Sequence, residues 1–163
     1  MDNVKKRLLH MTKAKHVQLM LGTGTLANDA IALQLRSLKG KGLVLTNGEF
    51  GNRLVGHAKR AQLHFDTYKK EMGEPFIYTE LEEIMKTGNY EWLWFVHHET
   101  STGMLNDLNE LNTLCNENQM KLCVDCISSI GAIPIDLKDV YFASGVSGKA
   151  IKSYTGISFV FHN

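Results

Sequence analysis

Several features are scarce or missing in this 163-residue sequence, and each absence narrows the function. No apolar run approaches the roughly 20 residues that a membrane helix needs, and no apolar stretch of the kind found in secretory signals follows the charged start. Three cysteines are too few for a disulfide framework, which favours a cytoplasmic protein. The formal net charge of +1 gives no electrostatic reason to expect nucleic acid or an anionic membrane as the main partner.

The sequence also lacks internal repeats and Pro/Ser-rich linkers, so we expect one domain spanning residues 1–163. Short apolar runs rich in β-branched and aromatic residues predict seven strands. The predicted strands are His16–Leu21, Leu43–Leu45, Leu63–Thr67, Trp92–His97, Lys121–Val124, Val140–Ala143 and Ile157–Phe161.

Helical patterns lie between most of these strands. Leu26, Ile31 and Leu35 recur at helical spacing after the first strand. Two later helices are predicted to begin at capping boxes, formed by Thr79 with Glu82 and by Asp107 with Glu110.

The alternation of strands and helices predicts a three-layer α/β domain with a mostly parallel sheet covered on both faces. The stretch from Gly145 to Gly156 is about the minimum length for a parallel crossover. We therefore expect the last strand to run antiparallel to its predecessor. Ligands collect at the carboxyl ends of the strands in such sheets, and the unusual clusters of this sequence fall at those ends.

The first cluster, Gly22-Thr23-Gly24-Thr25, joins a strand to a helix. Backbone amides and hydroxyls at a helix N-terminus form an anion site, and glycine lets a phosphate approach the backbone. The same residues could form a plain tight turn. Gly22, Gly24 and Ala27 also satisfy the dinucleotide fingerprint, which would make this a nicotinamide-binding oxidoreductase domain, but no acidic residue follows the second strand before Glu49.

The second and third clusters follow the second and fourth strands. In residues 47–53, Phe50 stands between two glycines and could lie against a planar ligand, or it could be a core residue of a glycine-rich turn. His97, His98 and Glu99 suggest a metal site, but neighbours on a strand point to opposite faces, so no metal is expected. The hydroxyls that follow, including Thr100, suit hydrogen bonding to a polar ligand or a solvated loop.

The last two clusters follow the fifth and sixth strands. Asp125 comes after a buried apolar run, where a carboxylate needs a cationic or hydrogen-bonded partner. Cys123 and Cys126 form a single C-x-x-C motif that is badly placed inside a strand for thiol exchange. Lys149 lies among small residues at the same edge, where Schiff-base chemistry is possible; a surface lysine is the simpler interpretation, and Lys152 is the alternative candidate.

The order of these five clusters, from Gly-Thr-Gly-Thr through Val-Asp-Cys-Ile-Ser-Ser to Ser-Gly-Lys, resembles the class V aminotransferases. These are pyridoxal-phosphate (PLP) enzymes of fold type I, and they include alanine–glyoxylate, serine–pyruvate and 2-aminoethylphosphonate–pyruvate transaminases. The resemblance runs from about His16 to Phe161. It implies transfer of an amino group between an amino compound and a 2-oxo acid, on a seven-stranded sheet with one antiparallel strand.

The resemblance assigns roles to residues of the first three clusters. Thr23, Gly24 and Thr25 match the family's phosphate cup. Phe50 matches the aromatic residue that stacks on the cofactor ring, and Thr100 falls in the hydroxyl cluster that contacts the ring substituents.

It also assigns roles to the last two clusters. Asp125 matches the aspartate that keeps the pyridine nitrogen protonated, and Ile127 would press on the ring. Lys149 matches the lysine that forms the internal aldimine and moves the substrate proton. Many relatives have glutamine before this lysine where this chain has Gly148, so Ser147 is expected to contribute to the phosphate contact.

The resemblance implies a longer enzyme, with an N-terminal arm and a C-terminal small domain that supplies an arginine for the substrate carboxylate. We therefore expect a large-domain fragment, which could also be a non-catalytic remnant that folds and binds PLP or a partner. The family resemblance further implies a homodimer with active sites at the subunit interface.

Overall fold

The computed structural model describes residues 2–163, which form five helices and nine strands. The helices are α1 (Asp2–Thr12), α2 (Gly24–Leu35), α3 (Glu49–Arg60), α4 (Tyr78–Gly88) and α5 (Leu108–Glu117). The strands are β1 (His16–Leu21), β2 (Lys41–Thr46), β3 (Phe65–Lys69), β4 (Tyr90–Val96), β5 (His98–Glu99), β6 (Met104–Leu105), β7 (Lys121–Asp125), β8 (Phe142–Val146) and β9 (Ile157–His162). Within residues 2–163, no helix has the length and apolar character needed to span a bilayer.

Seven strands form one sheet in the order β1-β9-β8-β7-β4-β2-β3, and β5 pairs with β6 in a small separate hairpin. β9 runs antiparallel to both of its neighbours, whereas the other pairs in the large sheet are parallel. The predicted mostly parallel sheet with an antiparallel last strand is therefore confirmed. All five clusters lie at or just beyond the carboxyl ends of β1, β2, β4, β7 and β8, which run in the same direction, so the topology gathers them at one edge.

Helices cover both faces of the sheet, and β4 shows how the strand residues divide between the two layers. Leu93 and Phe95 pack into the core with α1, α4 and α5. Trp92, Trp94 and Val96 pack into the core with α2 and α3 on the other face. This alternation is the period of a strand that is buried on both sides.

The structure corrects the position of the sixth predicted strand. It occupies Phe142–Val146 instead of Val140–Ala143, so Ser144 and Gly145 belong to the sheet. The sequence prediction left these two residues out of the strand because they are small. A Cβ at Gly145 would lie 3.0 Å from both Ile130 and Phe159, so there is no room for a larger residue. Large neighbours on the adjoining elements fill the space that these residues leave.

The helix starts were predicted with mixed success. Asp107 caps α5 by accepting hydrogen bonds from the backbone N–H groups of Asn109 and Glu110, as predicted. The predicted cap at Thr79 is wrong, because the cap position lies two residues earlier, at Ile77, which has no side-chain cap hydrogen bond. Buried Phe76 fixes the chain just before this point, so tertiary packing sets the helix start.

Candidate active site

A half-open cavity of about 220 Å³ lies at the carboxyl edge of the sheet. Seven of the nine predicted cofactor-site residues line it: Gly24, Thr25, Phe50, Thr100, Asp125, Ile127 and Lys149. They come from five separate segments of the chain, which the sheet topology brings together.

Asp125 ends β7 at the floor of this cavity, with 6% of its surface exposed. Its Oδ2 accepts a hydrogen bond from Nδ2 of Asn28 at 2.7 Å, and its Oδ1 accepts one from the backbone N–H of Ile127 at 2.9 Å. Both donors are neutral, and burial raises the pKa of Asp125. A ligand that brings a cationic N–H group to this carboxylate would relieve the cost of burying it.

The N-terminus of α2 opens onto the same cavity. Thr23 occupies the cap position, but its side chain makes no cap hydrogen bond. The first backbone N–H groups of a helix have no partners within the helix, so those at Gly24 and Thr25 are available to an anion. A Cβ at Gly24 would lie 2.5 Å from Cδ1 of Ile127, so glycine keeps this end of the cavity open.

Phe50 lies in the first turn of α3, and a buried carboxylate fixes that turn. Glu99 is fully buried and accepts hydrogen bonds from the backbone N–H groups of Gly51 at 2.9 Å and Phe50 at 3.3 Å. The Ser101 hydroxyl donates to Glu99 at 2.6 Å and accepts from the N–H of Glu49. A negative charge at a helix N-terminus is stabilising, so the β5–β6 hairpin holds the aromatic ring at the cavity wall.

Gly48 and Gly51 allow close packing at this point. A Cβ at Gly48 would lie 2.4 Å from the Glu99 side chain, and one at Gly51 would lie 2.8 Å from Cα of Thr46. The segment for which a glycine-rich turn was one alternative is therefore the start of a helix.

Lys149 follows β8 and reaches the cavity with an exposed side chain. Ser147 does not line the cavity; its hydroxyl faces the carbonyl oxygens of Tyr154 at 2.6 Å and Ile157 at 3.1 Å. The structure thus directs Ser147 into the turn that leads to β9. Thr23, the other predicted cofactor-site residue, does not line the cavity either. Lys152, the alternative lysine, is also absent from its wall.

Six residues line the cavity that the sequence analysis did not select: Asn28, Arg53, His57, Val96, His98 and Ser128. The guanidinium of Arg53 lies 4.8 Å from the centre of the Phe50 ring and pairs with Glu49. Asn28 lies three and four residues after Thr25 and Gly24, so helical periodicity could have placed it on the same face. His57 had no comparable signal, because α3 was not predicted.

His57 is buried and belongs to a charged cluster behind the cavity. Its Nδ1 lies 2.6 Å from Oδ1 of Asp29, and Arg60 contacts the same carboxylate at 3.1 Å. Burial opposes the ionisation of Asp29, but the hydrogen bonds from His57 and Arg60 outweigh it and lower the pKa of that carboxyl.

The neighbouring residues His97, His98 and Glu99 point in different directions. His97 packs against Ser129 with Nδ1 3.0 Å from its hydroxyl, His98 lines the cavity, and Glu99 caps α3. Within the described residues no three His, Cys, Asp or Glu side chains are arranged to hold a metal ion. Cys123 and Cys126 are buried free thiols whose pKa values are raised by burial.

Sequence comparison with known proteins supports the resemblance to the class V aminotransferases. The family model for class V aminotransferases matches residues 2–162. A 2-aminoethylphosphonate–pyruvate transaminase of Pseudomonas putida is 32% identical over 149 residues, which cover 90% of this chain and 40% of that protein. The chain therefore spans well under half the length of this relative.

Solved structures show the same likeness. The crystal structure of alanine–glyoxylate aminotransferase from Nostoc sp. superposes with a TM-score of 0.90 at 32% identity, covering 100% of this chain and 44% of that one. An aspartate aminotransferase from Thermus thermophilus gives a TM-score of 0.89 at 26% identity, covering 99% of this chain and 47% of that one. By its sequence, its sheet and its clustered site residues, this chain belongs to the class V aminotransferase family.

Proposed function

We propose that this chain forms the PLP-binding part of an aminotransferase active site. The observation that carries the proposal is that Asp125, the uncapped N-terminus of α2, Phe50 and Lys149 all line one cavity. Family membership supports PLP over the dinucleotide alternative, which shares only the Gly22-x-Gly24-x-x-Ala27 pattern.

The donors and acceptors of the cavity fit this cofactor. The open amides of α2 suit a phosphate, the Phe50 and Ile127 side chains suit an aromatic ring, and the buried Asp125 carboxylate suits a protonated ring nitrogen. The Thr100 hydroxyl is available to a ring substituent.

PLP, when bound, supplies an electron sink for removing the proton on the carbon that bears the amino group. Asp125 would hold a proton on the ring nitrogen. Lys149 would attach the cofactor and, once released, move the proton at the substrate carbon through its Nζ. Ile127 and Phe50 would exclude water from the ring.

Attachment at Lys149 is tested by adding PLP to the purified protein, reducing with borohydride and mapping the modified peptide. We expect one adduct, at Lys149, and no violet-absorbing species in Lys149→Arg. Lys152→Arg is the matched control and should bind PLP like the unmutated protein. An adduct at Lys152, or adducts spread over many lysines, would contradict the assignment.

We infer that the substrates are an amino compound and a 2-oxo acid, the pair named by the aminotransferase relatives. The substrate class is tested by single-turnover transfer of an amino group on PLP-loaded protein. The protein is given 2-aminoethylphosphonate or alanine as the amino donor and then pyruvate or glyoxylate as the acceptor. Formation of pyridoxamine phosphate and its return to PLP would support transfer. PLP binding without exchange would favour the non-catalytic alternative, and absence of PLP binding would refute the proposal.

We also propose that the protein is a cytoplasmic homodimer whose described domain corresponds to the large domain of its relatives. An apolar groove of about 300 Å³ lies beside the turn after β8, lined by residues that include Val4, Leu21 and Ile157. Leu21 is 89% exposed, which favours a partner surface over solvent. Light scattering should give twice the monomer mass; a monomer across the micromolar range would contradict it.

A further inference from the structure

Two neighbouring residues of α2 contact side chains that line the cavity. Asn28 donates to Oδ2 of Asp125 at 2.7 Å. Asp29 pairs at 2.6 Å with His57 of α3, whose ring lines the same cavity as Asp125. Asn28, Asp29 and His57 do not belong to the five sequence clusters. The Asn28–Asp125 contact spans 97 positions of the chain, and the Asp29–His57 contact spans 28.

Burial makes these contacts consequential. Asn28 and His57 are each 5% exposed, and Asp125 is 6% exposed. The amide oxygen of Asn28 has no hydrogen-bond partner among the described residues, so the only bond of this buried amide is the one to Asp125. The carboxylate fixes the amide orientation, because the flipped amide would bring two oxygens together.

The charges around Asp125 also matter. Burial disfavours its ionised form, and the Glu99 carboxylate adds to that effect. The Ile127 N–H, the Asn28 amide and the charge of His57 act in the opposite direction. The other titratable or charged groups near this carboxylate are Cys126, the next residue in the chain, and the cavity-lining Arg53, His98 and Lys149.

We propose that Asn28 and the His57–Asp29 pair are positioning residues for Asp125. Asn28 holds the carboxylate so that its remaining lone pairs face the cavity, and His57, held at Nδ1 by Asp29 and Arg60, is fixed at the wall of the same cavity. This inference rests on the proposed PLP function for its purpose, because an oriented carboxylate anion is what a protonated ring nitrogen needs.

The first experiment needs no cofactor. Protein labelled with ¹³C at the aspartate carboxyl carbons is titrated by NMR, and Asp125→Asn identifies the Asp125 signal. Asn28→Leu and His57→Phe should each raise the titration midpoint of Asp125 by about one pH unit, since each removes a group that favours the charged form. Asn112→Leu is the control, because Asn112 is another helical asparagine with an unpaired buried side-chain oxygen, remote from the cavity.

The second experiment uses PLP labelled with ¹⁵N in the ring. In the unmutated protein the ring nitrogen should stay protonated at neutral pH, and in Asn28→Leu it should lose its proton about one pH unit lower. If circular dichroism shows that the Asn28→Leu variant does not fold, Asn28→Ser is used in its place. If the His57→Phe variant does not fold, His57→Gln is used in its place.

The two experiments separate the two proposals. If the unmutated protein does not bind PLP, the proposed function fails, while the ¹³C titration still decides whether Asn28 and His57 act on Asp125. If the Asp125 midpoint in the folded variants matches that in the unmutated protein and Asn112→Leu, the positioning role is overturned.

Discussion

Acid should destabilise this protein through His97, and the effect can be isolated by mutation. The His97 side chain is 5% exposed, and burial, with a smaller contribution from His98, lowers its pKa to about 4 from the usual 6.5. Between these values the unfolded chain binds a proton on this ring and the folded chain does not. Stability is therefore lost as the pH falls through this window, and the loss attributable to His97 stops below about pH 4.

The magnitude follows from the difference between the two pKa values. One pKa unit corresponds to about 1.4 kcal/mol, so the whole window amounts to about 3 kcal/mol of unfolding free energy. Between pH 8 and pH 5 the loss should be about 2 kcal/mol, since the unfolded imidazole is almost fully protonated at pH 5.

The assay is urea unfolding at both pH values, followed by the fluorescence of the buried Trp92 and Trp94. His97→Asn keeps an amide near the position of Nδ1, which faces Ser129, and removes the titrating ring. This variant should lose about 2 kcal/mol less than the unmutated protein between pH 8 and pH 5. His10→Asn, at an exposed position of α1, is the control and should keep the full acid loss.

Equal acid losses in His97→Asn and the unmutated protein, within about 0.5 kcal/mol, would refute this reasoning. That result would mean that the ring is protonated in the folded state and that water or Ser129 stabilises the cation.

Three further predictions concern the cavity. Asp125→Asn should still bind PLP but lose most single-turnover amino transfer, because an amide cannot keep the ring nitrogen protonated; rates within a few-fold of the unmutated protein would show that Asp125 does not face the ring. Gly24→Val should weaken PLP binding at least about tenfold in a fluorescence titration, because its side chain would displace Ile127 into the cavity; unchanged affinity would show that the phosphate lies elsewhere. Glu99→Gln should lower the free energy of urea unfolding by about 1–3 kcal/mol, because the side chain accepts from four backbone or hydroxyl donors and an amide can accept through only one of its two terminal atoms; the exposed Glu71→Gln is its control, and equal stabilities would contradict the capping role.

Local patterns predicted most of the sheet because its central strands are apolar on both faces. The β4 and β7 segments could be recognised without knowledge of their neighbours, and the short segment between Gly145 and Gly156 indicated the antiparallel direction of β9. The strand ends then identified the edge where the site residues meet.

Long-range contacts explain what the sequence analysis missed. The cap of α3 comes from Glu99, about 50 positions along the chain, and its glycines lower helix propensity, so nothing local indicated this helix. Without α3, His57 could not be placed beside the cavity. Ser147 was expected to contribute to the phosphate contact because Gly148 stands where many relatives have glutamine. In the structure β8 extends to Val146, and the Ser147 hydroxyl turns toward Tyr154.

The pairing of β1 with β9 has a consequence for biosynthesis. Within residues 2–163, β1 pairs with β9 alone, with Leu21 opposite Ile157, and the backbone N–H of Gly22 donates to the carbonyl oxygen of Gly156. At ribosomal rates of roughly 5–20 residues per second, β1 must wait on the order of 10 s for the strand that pairs with it. The turn at residues 22–25 is therefore fixed in place only after β9 has been made, so a ribosome-stalled chain lacking β9 should present an unpaired strand edge to chaperones.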